Sequence, residues 1–233
     1  MTFPTQPKTD ERPDLWTQVK VAGVTYLRLP LRTRWLNETD DLVLAMKEHL
    51  KLARPGDTVG VSEKVVILLT GQTVDMSTVQ PGRLARMLAR HVRPRTDSRG
   101  LGVPEKMEYV LRTVGFRRII PATIGCALTR PLGMHGTFYR IAGPIARDVD
   151  GGRPPYEHVL FPPLDAKVAQ RICADLEGAL DIGVSIVDLN DFGGSIRGVS
   201  PRSLSAETLA KVLSDNPLGQ RLTSTPFVLV RPA

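Results

Sequence analysis

Residues 165–188 read DAKVAQRICADLEGALDIGVSIVD, and this stretch decides the fold. From Asp165 to Leu180 the apolar residues recur every three or four positions, which is the spacing of an amphipathic helix. An apolar run over 182–187 follows at once and is typical of a buried strand that ends at Asp188. A helix that leads directly into a buried strand predicts a protein whose helices cover a sheet.

Further helices and strands alternate on both sides of that stretch. We predict strands over 19–29, 58–69, 116–128, 137–149, 159–161, 195–199 and 227–230, and helices over 39–50, 81–92, 104–114 and 205–213. This order predicts an α+β fold with mixed α/β layers and no doubly wound order. We expect residues 16–233 to form a single domain, which could divide into two sub-lobes. Residues 1–15 mix prolines with charges and are expected to be a mobile tail.

The composition is that of an ordinary globular protein. The 233 residues are 42% hydrophobic and 24% charged, which is enough to bury a core without a disulfide or metal. Cys126 and Cys173 stand far apart, which argues against a disulfide scaffold, a zinc ribbon and an iron–sulfur site. No apolar run reaches the roughly 20 residues that span a bilayer, so we expect a cytoplasmic protein with no membrane partner. The formal net charge of +7 permits an anionic partner.

Two carboxylates follow the predicted strand 182–187. Asp188 and Asp191 flank Asn190 there, and ligands of open sheets collect at the carboxyl ends of strands. Carboxylate and amide oxygens suit Mg²⁺ or Mn²⁺, which in turn holds nucleotide phosphates. The alternative is an Asx-type turn, in which Asp188 and Asn190 bond to their own backbone.

Ser62, Glu63 and Lys64 interrupt the apolar pattern of the predicted strand 58–69. Burying such groups without partners costs about 1–3 kcal/mol each. Either a ligand pairs them, or the segment is an edge or bulge that water reaches.

Arginines recur along the predicted helix 81–92 and beyond it. They form a candidate anion-binding face made of Arg83, Arg86, Arg90 and Arg93. Arginine can clamp phosphate or carboxylate groups with two hydrogen bonds, although many such runs are solvated helix faces. No aromatic residues interleave the run, which argues against a nucleic-acid partner.

Several segments of the chain stand in a characteristic order. They are LPLR at 29–32 with DDL at 40–42, PGDTV at 55–59 with SEKVV at 62–66, AG at 142–143, LFPPLD at 160–165 and DIGVSIVD at 181–188. Together they resemble the family of coenzyme F420-0:L-glutamate ligases, also called F420-0:γ-glutamyl ligases, over most of residues 25–231. The resemblance implies that family's fold, with the region after the Asp188 strand shortened. It also implies addition of glutamate to a deazaflavin cofactor precursor, with GTP and Mg²⁺ or Mn²⁺, by a homodimer.

The resemblance also implies roles for individual residues. Asp188 corresponds to a metal ligand, and Asp191 or Asp148 would complete the metal site. The implied nucleotide-binding residues are Leu29, Pro30, Leu31, Arg32, Glu63, Lys64 and Asn216. The chain departs from the family pattern at Ile145, where a second metal aspartate is expected, and at Leu68, where a lysine is expected. We therefore expect a divergent ligase-like protein. The alternative is a non-catalytic module that binds a phosphorylated or polycarboxylate metabolite on the same scaffold.

Overall fold

The computed structural model describes residues 16–92, 100–134, 136–152, 154–190, 193–219 and 224–233. The tail predicted over residues 1–15 lies outside the described residues. The chain divides into two compact units. Unit 1 is made of Met1–Gly71 and Leu164–Ala233, and unit 2 of Gln72–Pro163.

The described residues form strands and helices in both units. The strands are β1 (Thr17–Val21), β2 (Val24–Leu31), β3 (Thr58–Ser62), β4 (Val74–Asp75), β5 (Asp150–Gly151), β6 (Val159–Phe161), β7 (Gly183–Asn190), β8 (Gly193–Val199) and β9 (Phe227–Pro232). The helices are α1 (Leu42–His49), α2 (Glu63–Leu69), α3 (Arg83–His91), α4 (Pro104–Val114), α5 (Phe116–Thr129), α6 (Thr137–Ala142), α7 (Pro144–Asp148), α8 (Ala166–Leu180) and α9 (Ala206–Val212). None of these helices has the length and hydrophobicity needed to cross a bilayer.

Unit 1 is built on a six-stranded sheet in the order β1-β2-β9-β3-β7-β8. Only β3 and β7 pair in parallel within this sheet, and the other neighbours are antiparallel. The α+β class is therefore confirmed, and so is the absence of a doubly wound order. The predicted helix over 165–180 is α8, and Asp165 caps it by accepting a hydrogen bond from the Lys167 backbone N–H at 2.9 Å.

The end of β2 differs from the sequence-based expectation. The sequence predicts a strand that ends at Leu29, before Pro30, but β2 continues to Leu31. Pairing with β1 ends at Arg28, while pairing with β9 continues, with Pro30 opposite Val228. A proline is tolerated at such a position because its nitrogen, which carries no hydrogen, faces the side on which pairing with β1 has already ended. No neighbouring strand requires a hydrogen-bond donor there.

Unit 2 is mainly helical. Helices α3 to α7 surround an apolar core that includes Met107, Val110, Ile119 and Ala122. The predicted helices over 81–92 and 104–114 are confirmed as α3 and α4. A small antiparallel sheet, in the order β4-β6-β5, completes the unit.

Three predicted strands are wrong, in whole or in part. The segment 58–69 is strand β3 only as far as Ser62 and then becomes helix α2. The segment 116–128 is helix α5, and the segment 137–149 holds helices α6 and α7. In α5, Thr123 and Thr129 donate their hydroxyls to the carbonyls four residues earlier, so these β-branched residues satisfy their polar atoms inside the helix.

Candidate functional site

Several predicted site residues lie at one edge of the unit 1 sheet. Leu31 lies opposite Phe227, which in turn lies opposite Val61, so β2 and β3 end at the same edge. Ser62 pairs with Val187, which brings the end of β7 there as well. We call this side of the sheet, at which the strands β2, β3 and β7 finish, the carboxyl edge of unit 1. The segments 29–32, 62–64 and 187–190 therefore meet there although they are far apart in sequence.

At this edge an arginine bridges two carboxylates. Arg197 donates from Nε to Glu63 Oε2 and from Nη2 to Asp188 Oδ2, each at 3.0 Å. The other Glu63 oxygen, Oε1, accepts the backbone N–H of Leu164 at 2.8 Å. The Glu63 and Arg197 side chains are largely buried, at 6% and 13% exposed, while Asp188 is 30% exposed. We call Glu63, Asp188 and Arg197 the bridged cluster.

Strand geometry aims Arg197 at the two carboxylates. Ile186 pairs with Gly198 and Val187 with Ile196, so Arg197 is the extra residue of an irregularity in the β7–β8 pairing. An extra residue of this kind redirects a side chain and is common near binding sites. Sequence reasoning missed Arg197. The available signal was that Arg197 is the only charged residue between Asp191 and Arg202.

Burial controls the protonation of Glu63. Burial raises the pKa of Glu63 above its ordinary value, and the nearby Asp188 charge also raises this pKa. The Leu164 backbone N–H and Arg197 act in the opposite direction. The Leu164 backbone N–H and Arg197 therefore both favour the charged form of a carboxylate that burial disfavours. The more exposed Asp188 is the member of the cluster best placed to face a ligand.

The structure corrects the predicted setting of Asp188. Strand β7 does not end at Asp188 but continues to Asn190, and Asp188 pairs with Ser195 across the β7–β8 hairpin. Asp188 therefore lies neither after a strand nor in an Asx-type turn. Its carboxylate is held instead by Arg197, which sequence reasoning did not consider.

The other two predicted metal ligands are Asp191 and Asp148, and of these Asp148 is among the described residues. Asp191 lies outside them. Asp148 lies in unit 2 at the end of α7, where Arg147 binds it at 2.6 Å. No group of three or more His, Cys, Asp and Glu side chains suited to a metal ion is found in the described parts of the chain. Around Asp188 these parts supply two carboxylates, and Arg197 binds both of them.

The predicted nucleotide-binding residues differ in accessibility. Leu29 and Leu31 are buried in β2, so only their backbone could contact a nucleotide. Arg32 follows β2 and is exposed, and Lys64 is exposed in the first turn of α2. Both cations thus lie at the carboxyl edge. Of the three polar residues at 62–64, Ser62 ends β3, Glu63 is buried and Lys64 is exposed in the first turn of α2. The alternative in which water reaches all three is therefore wrong.

Asn216 belongs to a loop that is tied to the same edge. Its backbone has a positive φ of 53°, and its Nδ2 donates to the Gly219 carbonyl at 3.4 Å. The Leu218 carbonyl in this loop accepts the hydroxyl of Thr225, just before the start of β9. Since β9 begins at the carboxyl edge, the loop 216–219 lies beside it.

A shallow cleft lies at the opposite, amino edge of the same sheet. Its volume is about 260 Å³, and its lining includes Lys47, Arg54 and Asp181. Asp181 forms an ion pair with Arg202. None of the predicted site residues is among those that line this cleft. The cleft is separate from the bridged cluster because β3 and β7 begin beside the cleft and end at the carboxyl edge.

The candidate anion-binding face lies on α3 in unit 2. Arg83, Arg86 and Arg90 are exposed, and the side of the helix that faces the core carries Ala85 and Ala89. The apolar spacing of 84–92 predicts Met87 on the inner side of this helix, but Met87 is exposed. Arg93 lies outside the described residues.

Comparison of the chain with protein-family models and with curated proteins found no match. The resemblance to F420-0:γ-glutamyl ligases stays an expectation from the sequence.

Proposed function

We propose that the carboxyl edge of unit 1 binds a nucleoside triphosphate and that the chain is a divergent amide ligase of the F420-0:γ-glutamyl ligase type. The observation that supports this is the meeting of 29–32, 62–64, 187–190 and 216–219 at one edge. Ligands of sheets with parallel strands collect at their carboxyl ends. The same segments carry the residues for which the resemblance implies nucleotide contacts.

The proposed reaction joins a carboxylate to an amine in two steps. An oxygen of the acceptor carboxylate attacks the γ-phosphorus of the nucleotide, which gives an acyl phosphate and the nucleoside diphosphate. The amino group of glutamate then attacks the acyl carbon, which releases phosphate and a proton and leaves an amide. GTP is the nucleotide that the resemblance implies.

Basic residues at the edge suit the phosphate chain of such a nucleotide. Arg32 and Lys64 are exposed cations there, and positive charge stabilises the transferring phosphoryl group. In the bridged cluster, Asp188 holds Arg197 in place from the accessible side. The resemblance also implies Mg²⁺ or Mn²⁺, but no step is assigned to that ion because the carboxylates around Asp188 are bonded to Arg197.

Calorimetry with GTP or ATP in the presence of Mn²⁺ tests nucleotide binding. We expect the wild type to bind one of them and Asp188→Asn to bind it at least about tenfold more weakly, because Arg197 loses a carboxylate that orients it. The matched control is Asp175→Asn, since Asp175 is exposed on α8. The proposal fails if neither nucleotide gives heat with the wild type, or if Asp188→Asn binds as the wild type does.

A second candidate function is a non-catalytic module for a phosphorylated or polycarboxylate metabolite. Arg83, Arg86 and Arg90 favour it, because they lie on one exposed face of α3 and form no ion pair with the described residues. Release of phosphate in the presence of glutamate and a carboxylate acceptor supports the ligase. Thermal stabilisation by pyrophosphate or citrate, lost in Arg86→Ala/Arg90→Ala and without phosphate release, supports the module.

A further inference from the structure

Helix α5 turns its larger apolar side chains away from the core of unit 2. Its inward side carries Ile119 and Ala122, which are buried. The outward side carries large apolar side chains at intervals of four residues, and they expose 47 to 68% of their area: Phe116, Ile120, Ile124 and Leu128. Since residues four apart lie above one another on a helix, these side chains form one continuous apolar line.

The apolar line continues past the end of the helix. Leu132 is 75% exposed and Met134 is 47% exposed in the turn that follows α5. We call Phe116, Ile120, Ile124, Leu128, Leu132 and Met134 the α5 ridge. Side chains with half to three quarters of their area exposed stand above the surface and do not line a groove. A contiguous apolar surface of this kind marks a site of interaction with a partner or a membrane.

The segment that carries the α5 ridge holds charges of a single sign. Residues 109–147 contain no aspartate or glutamate and six arginines, which are Arg112, Arg117, Arg118, Arg130, Arg140 and Arg147. Arg112 and Arg147 have carboxylate partners, Glu108 and Asp148. The other four are exposed, and none forms an ion pair with a described residue. The α5 ridge therefore faces outward with arginines beside it in the sequence. Its own segment, residues 109–147, contains no carboxylate side chain.

We propose that the α5 ridge docks on an anionic phospholipid surface. The ridge supplies aliphatic and aromatic side chains that enter the boundary between headgroups and acyl chains, and the flanking arginines reach lipid phosphates. Each basic residue near an anionic surface adds to the attraction. The expectation that the chain has no membrane partner rested on the absence of a spanning segment, and docking of this kind needs none.

A second copy of the chain is a poorer occupant of the ridge. Two ridges packed against each other would bring Arg117 and Arg130 of one copy near the same residues of the other. No carboxylate between residues 109 and 147 would offset that repulsion. An acidic protein surface would match the charge, but a ridge that stands above the surface requires a matching groove in a protein. A lipid surface has no such requirement.

Vesicle sedimentation of the full chain tests the proposal. We expect the wild type to sediment with phosphatidylcholine vesicles that contain about 30% phosphatidylglycerol, and to bind pure phosphatidylcholine at least about tenfold more weakly. Ile124→Glu/Leu128→Glu should weaken binding by at least about tenfold, because charge is then placed where the ridge enters the lipid. Leu44→Glu is the matched control, since Leu44 is 66% exposed on α1 of unit 1, and it should bind as the wild type does.

A second double variant distinguishes an effect of the arginine charges on vesicle binding from an effect of unfolding. Arg117→Ser/Arg130→Ser leaves the ridge apolar and should still lose most of its preference for anionic vesicles. The proposal is overturned if the wild type does not sediment with anionic vesicles at low salt, or if Ile124→Glu/Leu128→Glu binds equally well. It is also overturned if the wild type self-associates without vesicles and Ile124→Glu/Leu128→Glu abolishes that association, because a second copy of the chain then covers the α5 ridge.

Discussion

Arg197 offsets the free-energy cost of burying the Glu63 carboxylate. Removal of Arg197 should therefore lower the free energy of unfolding. With Arg197→Met the Glu63 carboxylate keeps only its bond from the Leu164 backbone N–H, and Asp188 adds repulsion. Loss of one partner from a buried ion pair lowers the free energy of unfolding by about 3 kcal/mol. Urea denaturation at about pH 8 measures this loss against the wild type.

The same variant carries a pH signature. Without Arg197 the pKa of Glu63 rises further above its unfolded value, so the buried charge costs free energy at high pH. Protonation relieves that cost as pH falls through the raised pKa, so the deficit of Arg197→Met should be smaller at about pH 5 than at about pH 8. The control is Arg202→Met, because Arg202 is an exposed ion-pair partner of Asp181 and should change stability little. A deficit that does not depend on pH would contradict this account of Glu63.

A site residue could be predicted from the sequence only where chain order alone sets its position. Asp188 follows an apolar run directly, so chain order alone placed it at the end of a predicted strand, whereas Lys64 was predicted inside the strand 58–69. Arg197 acts through an irregularity in the pairing of β7 with β8, and that register is a property of two strands and not of either sequence alone. The position of Asp188 in β7 was therefore predictable, while its partner Arg197 was not.

Close packing of α8 on the sheet depends on Gly198 in β8. A Cβ atom at Gly198 would lie 2.8 Å from the backbone carbon of Ala169 in α8, and backbone atoms cannot move aside cheaply. We expect Gly198→Ala to lower the free energy of unfolding by about 1–3 kcal/mol. Denaturant unfolding followed by circular dichroism measures the change.

Gly178 in the same helix is the matched control for Gly198. A Cβ atom there would meet nothing within 4 Å, and alanine favours a helix over glycine. Gly178→Ala should therefore raise the free energy of unfolding by about 0.5–1 kcal/mol. The account of α8 packing is wrong if both substitutions shift stability in the same direction.

Two of the wrongly predicted elements, α5 and α2, share a physical cause. A helix is recognised from sequence by the contrast between an apolar inner face and a polar outer face. In α5 the outer face carries Phe116, Ile120 and Ile124, so that contrast is missing and the segment resembles a strand. In α2 the residues Val66, Ile67 and Leu68 are all buried, and periodicity cannot separate a short buried helix from a buried strand. The property that hid α5 from sequence reasoning is the one that forms the α5 ridge.

The two units differ in net charge. Residues 72–163 contain 14 arginine and lysine residues and 7 aspartate and glutamate residues, so the whole formal net charge of +7 lies in unit 2 and unit 1 is neutral. The sequence contained this asymmetry, but the boundaries of the units were hidden because unit 1 is formed from two separate parts of the chain. Net positive charge repels itself and opposes the compact state of unit 2.

Salt should therefore stabilise unit 2 more than unit 1. Raising the ionic strength from about 0.01 M to about 0.1 M shortens the screening length from about 30 Å to about 10 Å, which weakens repulsion among the arginines of unit 2. We expect amide hydrogen exchange in α4 and α5 to slow by about twofold to tenfold, while exchange in β7 and β8 changes little. Mass spectrometry of peptides from 104–129 and 183–190 separates the two responses. An equal response of both peptides to salt would show that the net charge of unit 2 does not govern its local stability, because screening would then act on the whole chain alike.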